Sequence, residues 1–204
     1  MDDKKRESVI GIWKTVIDVQ MHFNDIEMRI RGLFVTIVLG LAAAEGFLLD
    51  KGLSFSFGQM RVLYATFMPL IGIIAACLFY FMDRYWYHRL LIGAVLQGAF
   101  IEGKYAEELP ELGLTARIGA ESPIDVTKWT SRSGRIAKRI SDLLVTDEKY
   151  HKNGKLHSDA KIELFYKSVG YLFLILFIVT IVFVGVRLDD KSFADYSWKL
   201  FRQL

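Results

Sequence analysis

VLYATFMPLIGIIAACLFYFM, residues 62–82, runs for 21 residues without a charge. As a helix it reaches about 31 Å, the thickness of a bilayer's hydrocarbon core. SVGYLFLILFIVTIVFVGV, residues 168–186, adds 19 more uncharged residues. A third run, residues 32–44, meets Glu45 and continues as Gly46-Phe47-Leu48-Leu49. Hydrocarbon offers a bare backbone no hydrogen-bond partner, so each run must coil into a helix. The expected fold is all-α: an integral membrane helical bundle with three transmembrane helices and a helical cytoplasmic extension.

Composition agrees. The chain is 52% hydrophobic and 14% aromatic, with a mean hydropathy of +0.28, and the surplus sits in the three runs. A net charge of +3 does not indicate a nucleic-acid binder. The single cysteine, Cys77, lies in an apolar run and has no internal disulfide partner. No apolar segment with a small-residue cleavage site occupies the first 31 residues, so a cleavable signal peptide is not expected. Basic residues set the orientation. Six Lys or Arg precede the first run and fourteen fall in 83–167, whereas Lys51 and Arg61 alone stand between the first two runs. The basic-inside rule then places the N-terminus on the cytoplasmic side. The expected segments are a cytoplasmic amphipathic helix (1–31), spans at 32–49, 62–82 and 168–186, and an external hairpin (50–61). A cytoplasmic helical region (83–167) and an external amphipathic tail (187–204) complete the chain. Leu90–Ile101 is apolar but only about 18 Å long as a helix, too short to cross. It is expected at the membrane surface or under the bundle.

Val9, Ile12, Val16, Val19, Phe23, Ile26 and Ile30 recur at alternating spacings of three and four, an a/d seam. The seam suits packing on the protein's own cytoplasmic helices or on identical helices of neighbouring subunits. Asp25–Arg29 and Glu27–Arg31 are i,i+4 pairs on the same helix. His22, Asn24, Asp25, Glu27, Arg29 and Arg31 cluster just before the first span; Arg84, His88 and Arg89 stand just after the second. Opposite charges at one depth are expected to form a clasp between the two helices, either structural or sensing.

Within the spans, Gly40–Ala44 and Gly72–Ala76 are small-xxx-small pairs that permit close helix approach. Pro69 is expected to kink the second span or loosen one of its backbone bonds. Glu45 is the ionisable residue that an apolar run rarely carries. Its two readings are a structural or interfacial carboxylate, snorkelling outward or pairing with Lys51 or Arg61, and a group lining a pore or gate. Together Glu45, Pro69, Gly40, Ala44, Gly72 and Ala76 are the candidate pore or gate residues.

Pro110, Gly113, Gly119 and Pro123 mark an irregular loop over 108–129. Next comes an amphipathic helix, roughly 131–148, with Ile136, Ile140, Leu143 and Leu144 on one face. Arg132, Arg135, Lys138 and Arg139 crowd its start, where cations oppose the helix dipole. Anionic lipid headgroups are the expected counter-charge. Asn153-Gly154 is a turn signal, and Ser158 or Asp159 can cap the last helix.

The chain has no phosphate-binding glycine loop, nucleophile elbow, HExxH or paired cysteines. No catalytic, cofactor-binding or metal-binding residues are expected, and no enzyme activity. HFNDIEMRIRGLFVT (22–36) and DRYWYHRLLIGAVLQGAFIE (83–102) resemble segments of small bacterial inner-membrane proteins of anti-phage defence systems, of the transmembrane effector type. The resemblance implies an oligomeric helical bundle that perturbs or depolarises the membrane when a cytoplasmic protein partner senses infection. The expectation is therefore a non-enzymatic, homo-oligomeric, channel-like effector in contact with membrane lipids. A membrane scaffold or anchor that recruits a soluble enzyme is the alternative; a small-solute transporter is weaker, because no internal repeat is present.

Overall fold

The computed structural model of the chain describes residues 1–57, 60–188 and 191–192. Its residues form two compact units: Met1–Arg31 with Tyr80–Phe165, and Gly32–Phe79 with Tyr166–Leu204. Among the described residues, three helices are long and apolar enough to cross a membrane.

Helix α1 spans Asp3–Lys51, 49 residues or about 74 Å of unbroken helix. It contains no proline, and Asp3 in the first turn and Lys51 in the last both suit the dipole. Gly52, at φ +59°, stops it, since only glycine enters the left-handed region without strain. Its part in the first unit packs on α3 (His88–Lys104). Val9 meets Ile101 and Leu109 there, with Ile10, Trp13 and Val16 alongside. Val9 and Val16 of the expected a/d seam thus pack there, and Phe23, Ile26 and Ile30 are half-buried. Ile12 is 54% exposed, and Val19 is exposed too. The face in use runs through Val9, Trp13, Val16, Gln20, Glu27 and Arg31, offset by one position and polar toward its end. Polar side chains with partners extend the packed face beside the seam, and hydrophobic periodicity does not register them.

After α3, helix α4 (Leu114–Glu121) occupies part of the expected loop 108–129. Strand β3 (Ile124–Asp125) follows and pairs antiparallel with β4 (Lys155–Leu156). The glycines and prolines read as loop signals fall mostly at the margins: Pro110 and Gly113 before α4, Pro123 after it. Between the two strands lie α5 (Arg132–Leu144) and α6 (Glu148–Asn153). Ser131 caps α5 by accepting from Gly134 N–H at 3.0 Å. The Asn153-Gly154 turn forms as its sequence suggests, with Gly154 at φ +65°. Val126, Val145, Tyr150, Leu156 and Ala160 make the core beneath them. Helix α7 (Ser158–Val179) then leads out of this unit.

In the second unit, β1 (Ser54–Phe57) and β2 (Met60–Leu63) form a hairpin, registered Ser54↔Leu63 to Phe57↔Met60. The outer edge of β2 pairs with β5 (Val186–Leu188), which pairs with β6 (Lys191–Ser192). This sheet of short strands was not expected and accompanies a predominantly helical fold. Ser54-Phe55-Ser56-Phe57 alternates with a period of two, the pattern of a strand. The hairpin extends to Leu63, so the second apolar helix begins at the 3-10 turn Tyr64–Thr66. The third ends in a π turn, Thr180–Gly185, before β5. Phe193, Tyr196, Trp198 and Phe201 of the expected tail lie outside the described residues.

Helix α2 (Phe67–Tyr80) carries Pro69 in its first turn. Proline is tolerated there because the N–H it lacks would have no helical partner. No kink is required of it, which corrects that expectation. Gly72 is buried, and a Cβ there would come within 2.7 Å of the Phe173 ring. One from Gly170 would meet Ala76 at 3.9 Å. The Gly72–Ala76 pair thus serves packing of α2 on α7 within the chain. Phe34 is fully buried between Phe79 and Tyr166, its ring centre 5.3 and 4.9 Å from theirs. Gly40 and Gly46 of α1 have open space beside them.

Candidate functional site

The helix that starts at Tyr64 does not end with α2. A seven-residue π segment, Phe81–Tyr87, joins α2 directly to α3, so Leu90–Ile101 continues that helix and is not a separate surface helix. The N–H of His88 donates to the carbonyl of Asp83, five residues back. In an α-helix, residues five apart point about 140° away from each other. The wider i→i+5 turn brings them toward one face. Asp83 and His88 are accordingly both buried, at 0% and 5% exposure.

Around that turn a network of charges closes. Arg31 donates through Nε to Asp83 at 2.7 Å and through Nη2 to its second oxygen at 3.1 Å. The same guanidinium reaches Glu27, one helical turn back, at 2.8 Å. Glu27 also faces His88 Nδ1 at 3.1 Å. A carboxylate only accepts, so that nitrogen is the donor. Nε2 of His88 lies 3.7 Å from Asp159 in the first turn of α7. Arg84 binds Glu163 at 3.2 Å, approaches Asp159 at 3.9 Å and donates to the Tyr80 hydroxyl. It also lies over the rings of Tyr80 and Tyr85. Glu163, 1% exposed, accepts from the backbone N–H and hydroxyl of Thr146. Burying charges is costly unless each is paired and hydrogen-bonded, and here the pairing is dense.

Of the expected clasp, the structure assembles Glu27, Arg31, Arg84 and His88. His22, Asn24, Asp25, Arg29 and Arg89 are exposed, and only Glu27–Arg31 of the two i,i+4 pairs joins the network. Asp83, Asp159, Glu163, Tyr80 and Thr146 were not anticipated. Asp83 stands beside Arg84 in the chain, an acid between two apolar stretches, and that signal was available. The five-residue register that turns Asp83 and His88 to one side was not.

Glu45 neither snorkels nor pairs with Lys51 or Arg61. Lys51 lies 3.2 Å from Asp50, and Arg61 donates to Ser54 at 2.8 Å. The Glu45 carboxyl turns into the protein, 4% exposed, and accepts from the Thr180 hydroxyl at 3.2 Å. Thr180 opens the π turn of the third apolar helix. Thr66, buried with no hydrogen-bond partner for its hydroxyl, sits on the 3-10 turn packed against that same π turn. Gly72 and Ala76 belong to the α2–α7 contact, Pro69 is buried in the first turn of α2, and Gly40 lies on an open face of α1. Arg132, Arg135 and Arg139 are exposed on α5, and Lys138 is half-buried.

Glu102 is a further buried acid that sequence reasoning missed. It accepts from Trp13 Nε1 at 3.0 Å and from the N–H groups of Thr115 and Ala116 at 2.8 and 2.9 Å. It thus caps the start of α4 and ties it to α1. Burial raises its affinity for a proton, but the donors outweigh burial and hold its carboxyl below the usual range. Because the folded value is depressed, the stabilisation is full above the unfolded carboxyl value. It is lost as pH falls through the folded one. Trp13 fluorescence, with the other three tryptophans replaced by Phe, is expected to change on acidification. Glu102→Gln should remove that pH dependence.

Among the described residues, no three His, Cys, Asp or Glu converge as metal ligands. Comparison with protein-family models, curated proteins and solved structures finds no match for this chain.

Proposed function

We propose that the protein is a non-enzymatic, homo-oligomeric effector of a bacterial inner membrane, channel-like and triggered in anti-phage defence through a cytoplasmic partner. The observation that carries this reading is the charge clasp. Its three contributors are α1, the Phe81–Tyr87 turn and α7, and each runs without a break into an apolar helix of spanning length. A partner that reorganises those ion pairs would move the spans themselves. Buried ion pairs contribute little net stability but impose geometry, which suits a two-position device.

Strand and helix pairing supports the three-crossing topology. Residues 1–31 pack with 80–165, so two crossings lie between them. Strand β2 pairs with β5, so the hairpin and the segment after α7 share one side. A fourth crossing at 90–101 would separate β2 from β5. The two segments richest in Lys and Arg fall in the first unit, which favours its cytoplasmic placement. The open space beside Gly40 on α1 favours contact between copies. The resemblance of 22–36 and 83–102 to transmembrane defence effectors favours the role.

The test is membrane potential. Cells expressing the protein and stained with a voltage-sensitive dye should depolarise when challenged with phage in the presence of the partner. A steady potential under every condition, with the protein correctly inserted, would sink the effector reading. The scaffold reading draws on exposed Leu114 and Ile118 of α4 as a docking face. It predicts a stable complex between residues 83–167 and a soluble enzyme, with no change in potential.

A further inference from the structure

Helix α5 keeps an apolar face that the described residues leave uncovered. Ala137, Ser141 and Leu144 turn inward. On the outside, Ile136 is 54%, Ile140 44% and Leu143 81% exposed. At about 100° per residue these three fall within an arc of about 60°. Arg132, Arg135 and Arg139 fill the adjoining arc of similar width, and all are exposed. The one acid near that arc, Asp142, is engaged by the Tyr150 hydroxyl at 2.5 Å. An uncovered apolar stripe in water is unfavourable, and three cations beside it repel one another near the positive end of the helix dipole.

The geometry points to an anionic phospholipid surface as the occupant: α5 lies in the headgroup layer, with Ile136, Ile140 and Leu143 entering the acyl boundary and Arg132, Arg135 and Arg139 on lipid phosphates. Charge complementarity selects this occupant. A purely apolar partner would leave the arginines unmatched, whereas a bilayer bearing acidic lipid supplies both halves. Long arginine side chains can keep their guanidinium groups in the headgroup layer while their stems pack on hydrocarbon. This inference rests on the spans being inserted. Covalent attachment to them keeps α5 near lipid at high effective concentration, so modest intrinsic affinity suffices.

The sole cysteine makes the test direct. Full-length protein is reconstituted into vesicles of phosphatidylcholine, with and without phosphatidylglycerol. A nitroxide is attached either to native Cys77, exposed on α2, or to a Cys77→Ala, Leu143→Cys protein. Accessibility to oxygen is compared with accessibility to a water-soluble nickel chelate. At position 143 the label should favour oxygen in the anionic vesicles and lose that preference in the neutral ones. R132Q/R135Q/R139Q should lose it in both. Equal openness to the nickel chelate in both vesicle types would overturn the inference. So would shielding that persists in neutral vesicles or in detergent, since a protein would then be the cover. If 143 fails while Cys77 favours oxygen, the spans stand and the α5 contact falls. A Cys77 label open to nickel would remove the span reading itself.

Discussion

Asp83→Ala is expected to destabilise the protein by about 2–3 kcal/mol. Its carboxylate is fully buried and accepts two hydrogen bonds from Arg31. Removing one partner of a buried ion pair costs about 3–5 kcal/mol, because the other charge is left unmatched. The lower figure applies here because the Arg31 side chain is 26% exposed and keeps Glu27 at 2.8 Å. Asp83→Asn should cost less, since its amide oxygen can still accept. Thermal unfolding followed by near-ultraviolet circular dichroism in detergent would measure both. Arg31→Met, Asp83→Leu and the double variant complete a cycle whose coupling should be about 1–3 kcal/mol. Near-zero coupling would mean that the pair is geometry without energy. Under the proposed function, the Asp83 variants should also depolarise cells without phage.

Glu45→Gln separates charge from shape in the spans. Glutamine keeps the length of the side chain and can still accept from Thr180, so unfolding should shift by less than about 1 kcal/mol, or about 2–4 °C. Ion flux is the sensitive readout. A full charge about 4 Å from a passing cation is worth about 4 kcal/mol at an effective dielectric near 20. Even a third of that is about tenfold in rate. Under the proposed channel function, with conduction passing the Glu45 carboxyl, cation flux into proteoliposomes carrying Glu45→Gln should fall by about tenfold. Thr180→Val should fall in between, since it removes the donor but leaves the carboxylate. Flux equal to the parent's would leave Glu45 a packing residue and remove it from any pore.

The apolar helices were legible because uncharged runs of that length admit one backbone solution. Glu27–Arg31 was legible too, as a pair one turn apart on a helix that nothing interrupts. What stayed hidden depends on register or on distant pairing. Asp83 and His88 share a face only because the helix widens for seven residues, and no local rule predicts where that occurs. Glu163 and Asp159 reach the clasp from a helix more than 70 residues later in the chain. Ser54–Phe57 shows strand alternation, but its neighbours in the sheet come from the hairpin's return arm and from residues after the last apolar helix. On α1 the seam residues Val9 and Val16 were legible, whereas Gln20, Glu27 and Arg31 beside the seam were not, because a hydrophobic pattern carries no signal for polar contacts.

The β2–β5 ladder also sets a timetable for biogenesis. Val62 and Val186 are partners, separated by 186 − 62 = 124 residues of translation. At about 5–20 residues per second, the ribosome needs roughly 6–25 s to deliver the second after the first. Throughout that interval the nascent hairpin carries a bare edge that could zip onto another newborn chain. Completion waits for the last stretch to be made, so a transcript truncated near residue 180 should yield a product prone to edge-on aggregation and early proteolysis.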